Sequence, residues 1–371
     1  MRTETIELQA DSPGTYHSVQ VLRFGTPGAM PKAYVQAAMH ADEVPAMLVA
    51  QQLRAQLATQ EAQGAVAGEV VLVPFANPLG LAQQLLGQHH GRFDLRDGGN
   101  FNRGFPDLSG ALLDAVRGRL GPDAAHNTRA IRCALRDCAA GLRGHTSAED
   151  LKIRLLQLAI DADVVLDLHC DSDAVMHLYA LTPHRALAQD LGAALGARAV
   201  LLATESGGSP FDEACTRPWL ALQQEHPDLP LPLDCFAATI ELRGECDTSH
   251  DLARQDAEGL LAFLRMRGVL AGPGGVVPAP LCDPTPLAGS EPVIAPRAGV
   301  VIFHRNSGDR VLAGDTIADL VDPATGVVTP VACASSGVLY ARCASRWAHV
   351  GKRLAKIAGT TLARTGALLS P

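Results

Sequence analysis

Hydrophobic and polar positions between residues 19 and about 268 alternate between two periods. Short β-branched and apolar runs at 19–24, 33–39, 69–75, 163–169, 177–181, 199–203 and 237–242 predict strands. Between them, apolar residues at helical spacing predict helices over about 44–58, 147–160, 184–195 and 250–267. Strands alternating with longer helices are the signature of an α/β sheet with crossover helices. One stretch, about 79–107, is rich in Gly, Asn and Asp and has no clear period. A loop of that length inside a compact domain is usually functional or disordered.

The pattern changes after residue 270. The segment AGPGGVVPAPLCDPTP (271–286) reads as a linker, and the chain beyond it repeats itself weakly. APRAGVV (295–301) recurs as ASSGVLY (334–340), which sets Gly299 and Gly337 38 residues apart, and a glycine turn comes after each copy at Gly314 and Gly351. Short strands with tight turns predict a small all-β module. The expected organisation is therefore a catalytic α/β domain over 1–270, a linker over 271–286 and a β module over 287–371.

Composition narrows the class. Of 371 residues, 47% are apolar and 19% charged, so the chain carries enough apolar surface for a large core. The net charge of −8 and the lack of a basic stripe argue against nucleic acid as a partner. No apolar run reaches the length of a membrane span, and the first residues lack the apolar core of a signal peptide. Nine cysteines, none spaced as CxxC, indicate neither a disulfide framework nor a thiolate metal site. The expectation is a cytoplasmic protein with no membrane partner, and the low charge fraction is compatible with subunit surface buried in a homo-oligomer.

Four segments carry candidate chemistry. In MHADEVPA (39–46) an apolar strand delivers His40 at its carboxyl end, and Glu43 follows one turn later. Strand ends in open α/β sheets are where ligands bind, and an imidazole and a carboxylate so spaced can reach one metal ion. Alone, Glu43 reads equally as a helix N-terminal acid. In DVVLDLHCDSD (163–173) a second strand ends in His169, with Asp167 two residues earlier on the same side, placed to orient that imidazole. In AATIELRGE (237–245) Glu241 sits inside an apolar strand, which is costly unless it is functional or paired, Arg243 being the neighbour available. Together these strands supply two histidines and two glutamates, the inventory of a metallohydrolase: His2Glu for zinc and one glutamate as general base. The fourth segment, RFDLRDGGNFNRGFPDL (92–108), brings Arg92, Arg96, Asn100, Asn102 and Arg103 into the long loop, where arginine forks suit carboxylate recognition. His89 and His90 read as solvated or hydrogen-bonded, His177 as a strand residue near the site, TESGGSP (204–210) as a turn without a phosphate-cradle signature, and Tyr340 as structural.

MHADE, NPLG (77–80), DGGNFNRGFP (97–106), DLHCD (167–171) and TIELRG (239–244), in this order, resemble the succinylglutamate desuccinylase/aspartoacylase family of the zinc carboxypeptidase clan. The separations of 126 residues from Glu43 to His169 and 72 from His169 to Glu241 lie in that clan's range. The resemblance spans essentially the whole chain. It implies a zinc-carboxypeptidase-like mixed sheet flanked by helices, with a C-terminal module similar to the biotinyl/lipoyl type of β-sandwich. The carrier lysine of such modules has no counterpart in LVDPATGVV (320–328), so a packing or lid role is expected. The resemblance further implies His40, Glu43 and His169 as zinc ligands, Glu241 as general base and acid, and Asn102 and Arg103 as the pair that holds a substrate carboxylate. Arg92 is the candidate to polarise the scissile carbonyl, with Arg96 the other claimant. The chain reads NFNR where the family usually reads DLNR, so Asn100 removes a negative charge. The activity implied is zinc-dependent hydrolysis of a small N-acyl amino acid. The alternatives are a carboxypeptidase-like peptidase and a catalytically silent carboxylate binder. Because the net charge cannot steer an anion, any carboxylate must be captured locally.

Overall fold

The computed structural model describes residues 1–273, 278–362, 364–366 and 368. The chain opens with strands β1 (Arg2–Glu7), β2 (Ser18–Gly25) and β3 (Lys32–Ala37), helix α1 (Pro45–Ala62) and β4 (Glu69–Val73). A short helix α2 (Pro78–Leu81) and a hairpin of β5 (Gln84–Leu85) and β6 (Gln88–His89) begin the long loop. Helices α3 (Ser109–Ala115), α4 (Ala124–Ala140) and α5 (Ser147–Ala159) come next. Then come β7 (Val164–Asp171), the two-residue β8 (Asp173–Ala174), β9 (His177–Leu181), α6 (Arg185–Leu195), β10 (Ala199–Ala203), α7 (Phe211–Glu225), β11 (Phe236–Gly244), α8 (His250–Met266) and β12 (Thr285–Pro286).

Nine of these strands form one mixed sheet in the order β1-β2-β4-β3-β7-β11-β9-β10-β12. The central four, β4, β3, β7 and β11, run parallel, whereas β9 is antiparallel to β11. The carboxyl ends of β3, β7 and β11 therefore lie side by side at one edge. Side chains alternate between two cores: Leu22, Val35, Leu72 and Leu166 face one layer, which includes Leu260 of α8, and their neighbours Val21, Tyr34, Val71 and Val165 face another, which includes Leu155 of α5 and Trp219 of α7. With both faces covered, the central strands read as continuous apolar runs. No described helix is long and apolar enough to cross a membrane.

Two details differ from the sequence reading. Strand β3 stops at Ala37 because Ala38 takes a left-handed backbone, φ 58°, which turns the chain out of the sheet before His40. Of the expected linker, 274–277 lie outside the described residues, and Thr285–Pro286 pairs with β10 as an edge strand instead of running free.

The last quarter is built of strands. Strands β13 (Ser290–Ile294), β14 (Gly299–Phe303), β15 (Arg310–Val311), β16 (Thr316–Val321), β17 (Val328–Ala332), β18 (Gly337–Arg342), β19 (Trp347–Ala348) and β20 (Arg353–Ala358) make two sheets, β13-β20-β18-β15 and β17-β16-β14-β19. Val293, Val301, Ile317, Leu339 and Leu354 fill the space between them. This unit is joined to the larger body by strand pairing, Ala174 of β8 opposite Ala341 of β18, and by a buried patch of Tyr179, Leu201, Leu287 and Tyr340. Arg342 Nε also donates to Asp173 Oδ2 at 2.7 Å.

Candidate active site

The three adjacent strand ends build the site. After Ala38, the backbone N–H of Glu43 closes a turn on the His40 carbonyl at 3.1 Å, and α1 begins two residues later at Pro45. This turn is clamped from the loop side. Ala41 N donates to Gly91 O at 3.0 Å, and a Cβ on Gly91 would meet Asp42 N at 2.1 Å, so only glycine lets the loop lie flush there. The NPLG motif contributes through buried Asn77, whose Nδ2 donates to Met39 O at 2.9 Å while its Oδ1 accepts from Gly80 N at 2.8 Å.

His40, Glu43 and His169 are buried, and their ligand atoms lie within 4.8 Å of one another. His40 Nδ1 is 2.9 Å from Glu43 Oε1, and His169 Nδ1 is 2.7 Å from Glu43 Oε2, which also accepts from Cys170 N at 3.1 Å. The far nitrogens are held from behind. His169 Nε2 lies 2.9 Å from Asp167 Oδ2, whose partner oxygen Oδ1 accepts from Gln36 Nε2 at 2.9 Å; His40 Nε2 donates to Asn100 Oδ1 at 2.9 Å. Two imidazoles with inward Nδ1, anchored Nε2 and a carboxylate between them fit a divalent transition metal such as zinc. The electrostatics agree with a cationic occupant. Burial opposes the charged form of His169, yet Asp167 and Glu43 hold its pKa well above the ordinary histidine value. Despite burial, His40 and His169 hold the Glu43 carboxyl well below its usual range. Burial, aided by Arg92, lowers the pKa of His40 against the pull of Glu43.

Glu241 pairs in register with His169 across β7 and β11, so its carboxyl stands beside the ligand cluster. Its Oε2 is buried and has no hydrogen-bond partner among the described residues, and burial together with Glu43 and Asp171 raises its pKa to about 8. A buried orphan oxygen is uncommon and marks a group with a partner still to come. The alternative, a Glu241–Arg243 pair, does not form. The β7–β11 register shifts between Glu241 and Gly244, Arg243 takes φ 68°, and its guanidinium pairs with Asp256 of α8.

The loop brings Arg92, Asn102 and Arg103 to the same cavity of about 330 Å³. Arg92 Nη1 donates to Glu43 Oε1 at 3.0 Å and lies 3.2 Å from His40 Nδ1. Arg96 points elsewhere, to Asp94 and Asp11. Asn102 accepts from Phe211 N at 3.1 Å, and its Nδ2 lies 3.2 Å from His169 Nε2. Arg103 Nη1 donates to Asn102 O at 2.7 Å and runs over Gly208, where a Cβ would meet its Cδ at 2.7 Å.

Other side chains singled out in the sequence have structural roles. His177 is buried with Nδ1 2.8 Å from Val175 O, and Tyr340 stacks on it with ring centroids 4.9 Å apart while its hydroxyl meets Ser290 Oγ at 2.8 Å. His89 Nε2 lies 3.1 Å from Gly80 O. The sequence reading missed Ser206, Asp212 and Thr216 on one wall, and Arg353 and Lys356, which the β module inserts into the cavity. The strand-end rule points to the first group, since TESGGSP directly follows β10. No local motif marks the second.

Comparison with known proteins agrees with this construction. Residues 29–267 match the family model for the succinylglutamate desuccinylase/aspartoacylase catalytic domain. Among solved structures, a succinylglutamate desuccinylase/aspartoacylase family protein from Shewanella amazonensis is 30% identical with TM-score 0.86, over 96% of this chain and 98% of that one. One from Shewanella frigidimarina is 25% identical with TM-score 0.85, over 96% and 97%. The ectoine utilization protein EutE (DoeB) from Ruegeria pomeroyi shares the fold at 18% identity and TM-score 0.67, over 96% and 95%. A search of curated proteins finds no match. The family model covers the strands and the loop that carry the site, and the chain belongs to the succinylglutamate desuccinylase/aspartoacylase family of hydrolases.

Proposed function

We propose that the protein is a zinc-dependent hydrolase that removes the acyl group from a small N-acyl amino acid or related carboxylate-bearing amide. The observation that carries this reading is the Glu241 oxygen, without a partner among the described residues, beside the converging His40, Glu43 and His169 donors. Zinc held there would supply Lewis acidity, lowering the pKa of bound water towards about 7. Glu241, close to neutral pH in its affinity for protons, takes the proton of the attacking water and returns it to the departing amine. Arg92, which donates to Glu43 at the edge of the ligand cluster, stabilises the charge that the carbonyl oxygen gains. Arg103 takes the carboxylate of the amine half. Asn102 fixes the wall on which Arg103 stands, because its amide already joins Phe211 N to the His169 edge.

Leu287, Arg353 and Lys356, from beyond the larger domain, close part of the cavity, which favours small amides over peptides and separates this reading from a carboxypeptidase-like one. We assign the β module, read as biotinyl/lipoyl-like, this wall-forming role. Nine free cysteines fit a reducing, cytoplasmic setting. The test is Glu241→Gln assayed on N-acetyl and N-succinyl amino acids beside short peptides. The reading expects zinc to stay bound while amide turnover falls to background; retained turnover, or cleavage of peptides alone, overturns it.

A further inference from the structure

Beyond β20 the chain reads GTTLARTGALLSP (359–371), and two of its leucines meet opposite fates. Leu362 is 70% exposed, whereas Leu368 is 8% exposed. Leu368 is seated in the patch that joins the β module to the larger body, among Tyr179, Leu201, Leu287 and Tyr340. The backbone is held on the way there. Arg364 N donates to Ala288 O at 3.1 Å, and the Arg364 guanidinium donates to the Leu368 carbonyl. Leu368 N then donates to Ser206 O at 2.8 Å.

That bond ties the returning segment to TESGGSP (204–210) on the cavity wall. Thr204, Glu205 and Gly208 are exposed, so this loop depends on a few fixed points. One is Ser209, whose hydroxyl accepts from Arg217 Nη1 at 3.0 Å. The other is buried Ser206, which lines the cavity. Its N–H and hydroxyl both donate to Glu213, and its carbonyl accepts from Leu368. A buried carbonyl that loses its donor has to turn towards water, which would draw the loop outward. Two residues further on, the loop meets the segment that carries Asn102 and Arg103. Gly104 N donates to Gly208 O at 2.8 Å, Phe105 N donates to Ser209 O at 3.1 Å, and the Arg103 side chain lies across Gly208.

We infer that Leu368 is a positioning residue: the returning C-terminal segment straps the 204–210 loop in place, and the loop in turn holds Arg103 for the substrate carboxylate. The apolar side chain supplies the grip and the backbone N–H supplies the tie. This rests on the proposed role of Arg103 in taking the carboxylate of the amine half. The strap itself stands on the contacts of Leu368, Ser206 and Gly208.

The test reads the strap and the arginine separately, on zinc-loaded full-length protein. Leu368→Asp expels the side chain from its patch, Leu368→Ala is the milder second variant, and Leu368→Met keeps both grip and tie. Hydrogen exchange followed by mass spectrometry should quicken at least about 10-fold in peptides covering Gly104 and Phe105, while those covering β11 stay unchanged and Leu368→Met matches wild type. Unchanged exchange at Gly104 and Phe105 in both Leu368→Asp and Leu368→Ala overturns the inference. Kinetics use the best-cleaved compound from a panel of N-acetyl and N-succinyl amino acids, beside its α-carboxamide, which lacks the carboxylate. Removing the arginine in Arg103→Ala should raise KM for the carboxylate by about 10-fold to 100-fold, the worth of a charged hydrogen bond. Leu368→Asp loosens that grip and should raise the same KM by about 3-fold to 10-fold, with kcat within about 2-fold and the carboxamide unaffected. Tyr179, Leu201 and Leu287 also line the cavity, so an equal rise for the carboxamide assigns the effect to those walls and overturns the inference. A KM that rises in Arg103→Ala and stays level in Leu368→Asp overturns it alone. A KM unmoved in Arg103→Ala overturns the reading of Arg103 on which it rests. With no acyl release from any compound the deacylase reading fails, and hydrogen exchange decides the strap by itself.

Discussion

The two ligand imidazoles are held by chemically different partners, and this asymmetry gives a quantitative prediction. His169 Nε2 meets a carboxylate, Asp167, at 2.9 Å, whereas His40 Nε2 meets the neutral amide oxygen of Asn100 at the same distance. A carboxylate partner raises the basicity of a ligand imidazole, and losing such a partner typically costs 10-fold to 100-fold in metal affinity, about 1.4 to 2.8 kcal/mol. Asp167→Asn keeps an acceptor near His169 and removes only the charge, so zinc affinity should fall within that range. Asn100→Asp adds the charge to His40 and should tighten zinc by about 10-fold, partly offset by desolvating a second buried carboxylate. Competition against a chromophoric chelator at fixed pH and ionic strength measures both. Affinity unchanged in Asp167→Asn, or weakened in Asn100→Asp while the fold is intact, would refute the reasoning that these partners tune the metal.

Three further outcomes are expected. Burial, reinforced by Lys356, lowers the His177 pKa from 6.5 to about 4, so between those values the unfolded chain binds a proton that the folded chain refuses. Stability should therefore fall as pH drops from about 6.5 towards 4, by up to about 3 kcal/mol from this group, and the difference between wild-type and His177→Gln urea curves should show it. Lys356→Met leaves part-buried Asp171 without its cation and should cost up to about 3 kcal/mol in urea unfolding, largely recovered in the double variant with Asp171→Asn. Arg92→Ala should lower kcat by about 100-fold to 1,000-fold at unchanged zinc stoichiometry, measured by steady-state kinetics beside metal analysis.

The core of the site is legible in the sequence because each ligand follows, or ends, an apolar strand that needs no tertiary context to be recognised. Strands 177–181 and 199–203 coincide with β9 and β10, and His40, Glu43 and His169 come together with Glu241 in register beside His169. Asp167 behind His169 follows from the period of two. What escapes the sequence is set by contact. β1 is a largely exposed edge strand with too few apolar positions to show alternation, and α7 carries Pro218 in its interior, which breaks a helical reading. α4 does carry a buried stripe at helical spacing, Ile131, Ala134, Leu135 and Ala139, which the expected helices do not include. The Glu241–Arg243 pair is the alternative that same-face spacing leaves open, but the irregularity after Glu241 sends the arginine to α8. Lys356 and Arg353 reach the cavity only because β8 and β18 pair across more than 160 residues, a fact no local pattern carries.

The central claim, that His40, Glu43 and His169 hold the zinc on which amide hydrolysis depends, is tested most directly by titrating zinc into chelator-stripped wild-type protein while acyl release from N-acyl amino acids is recorded. The account predicts activity that rises linearly and levels off at about one equivalent, and no recovery in His169→Ala over the same range. Activity in the stripped protein that zinc does not raise, or full recovery in His169→Ala, would contradict it.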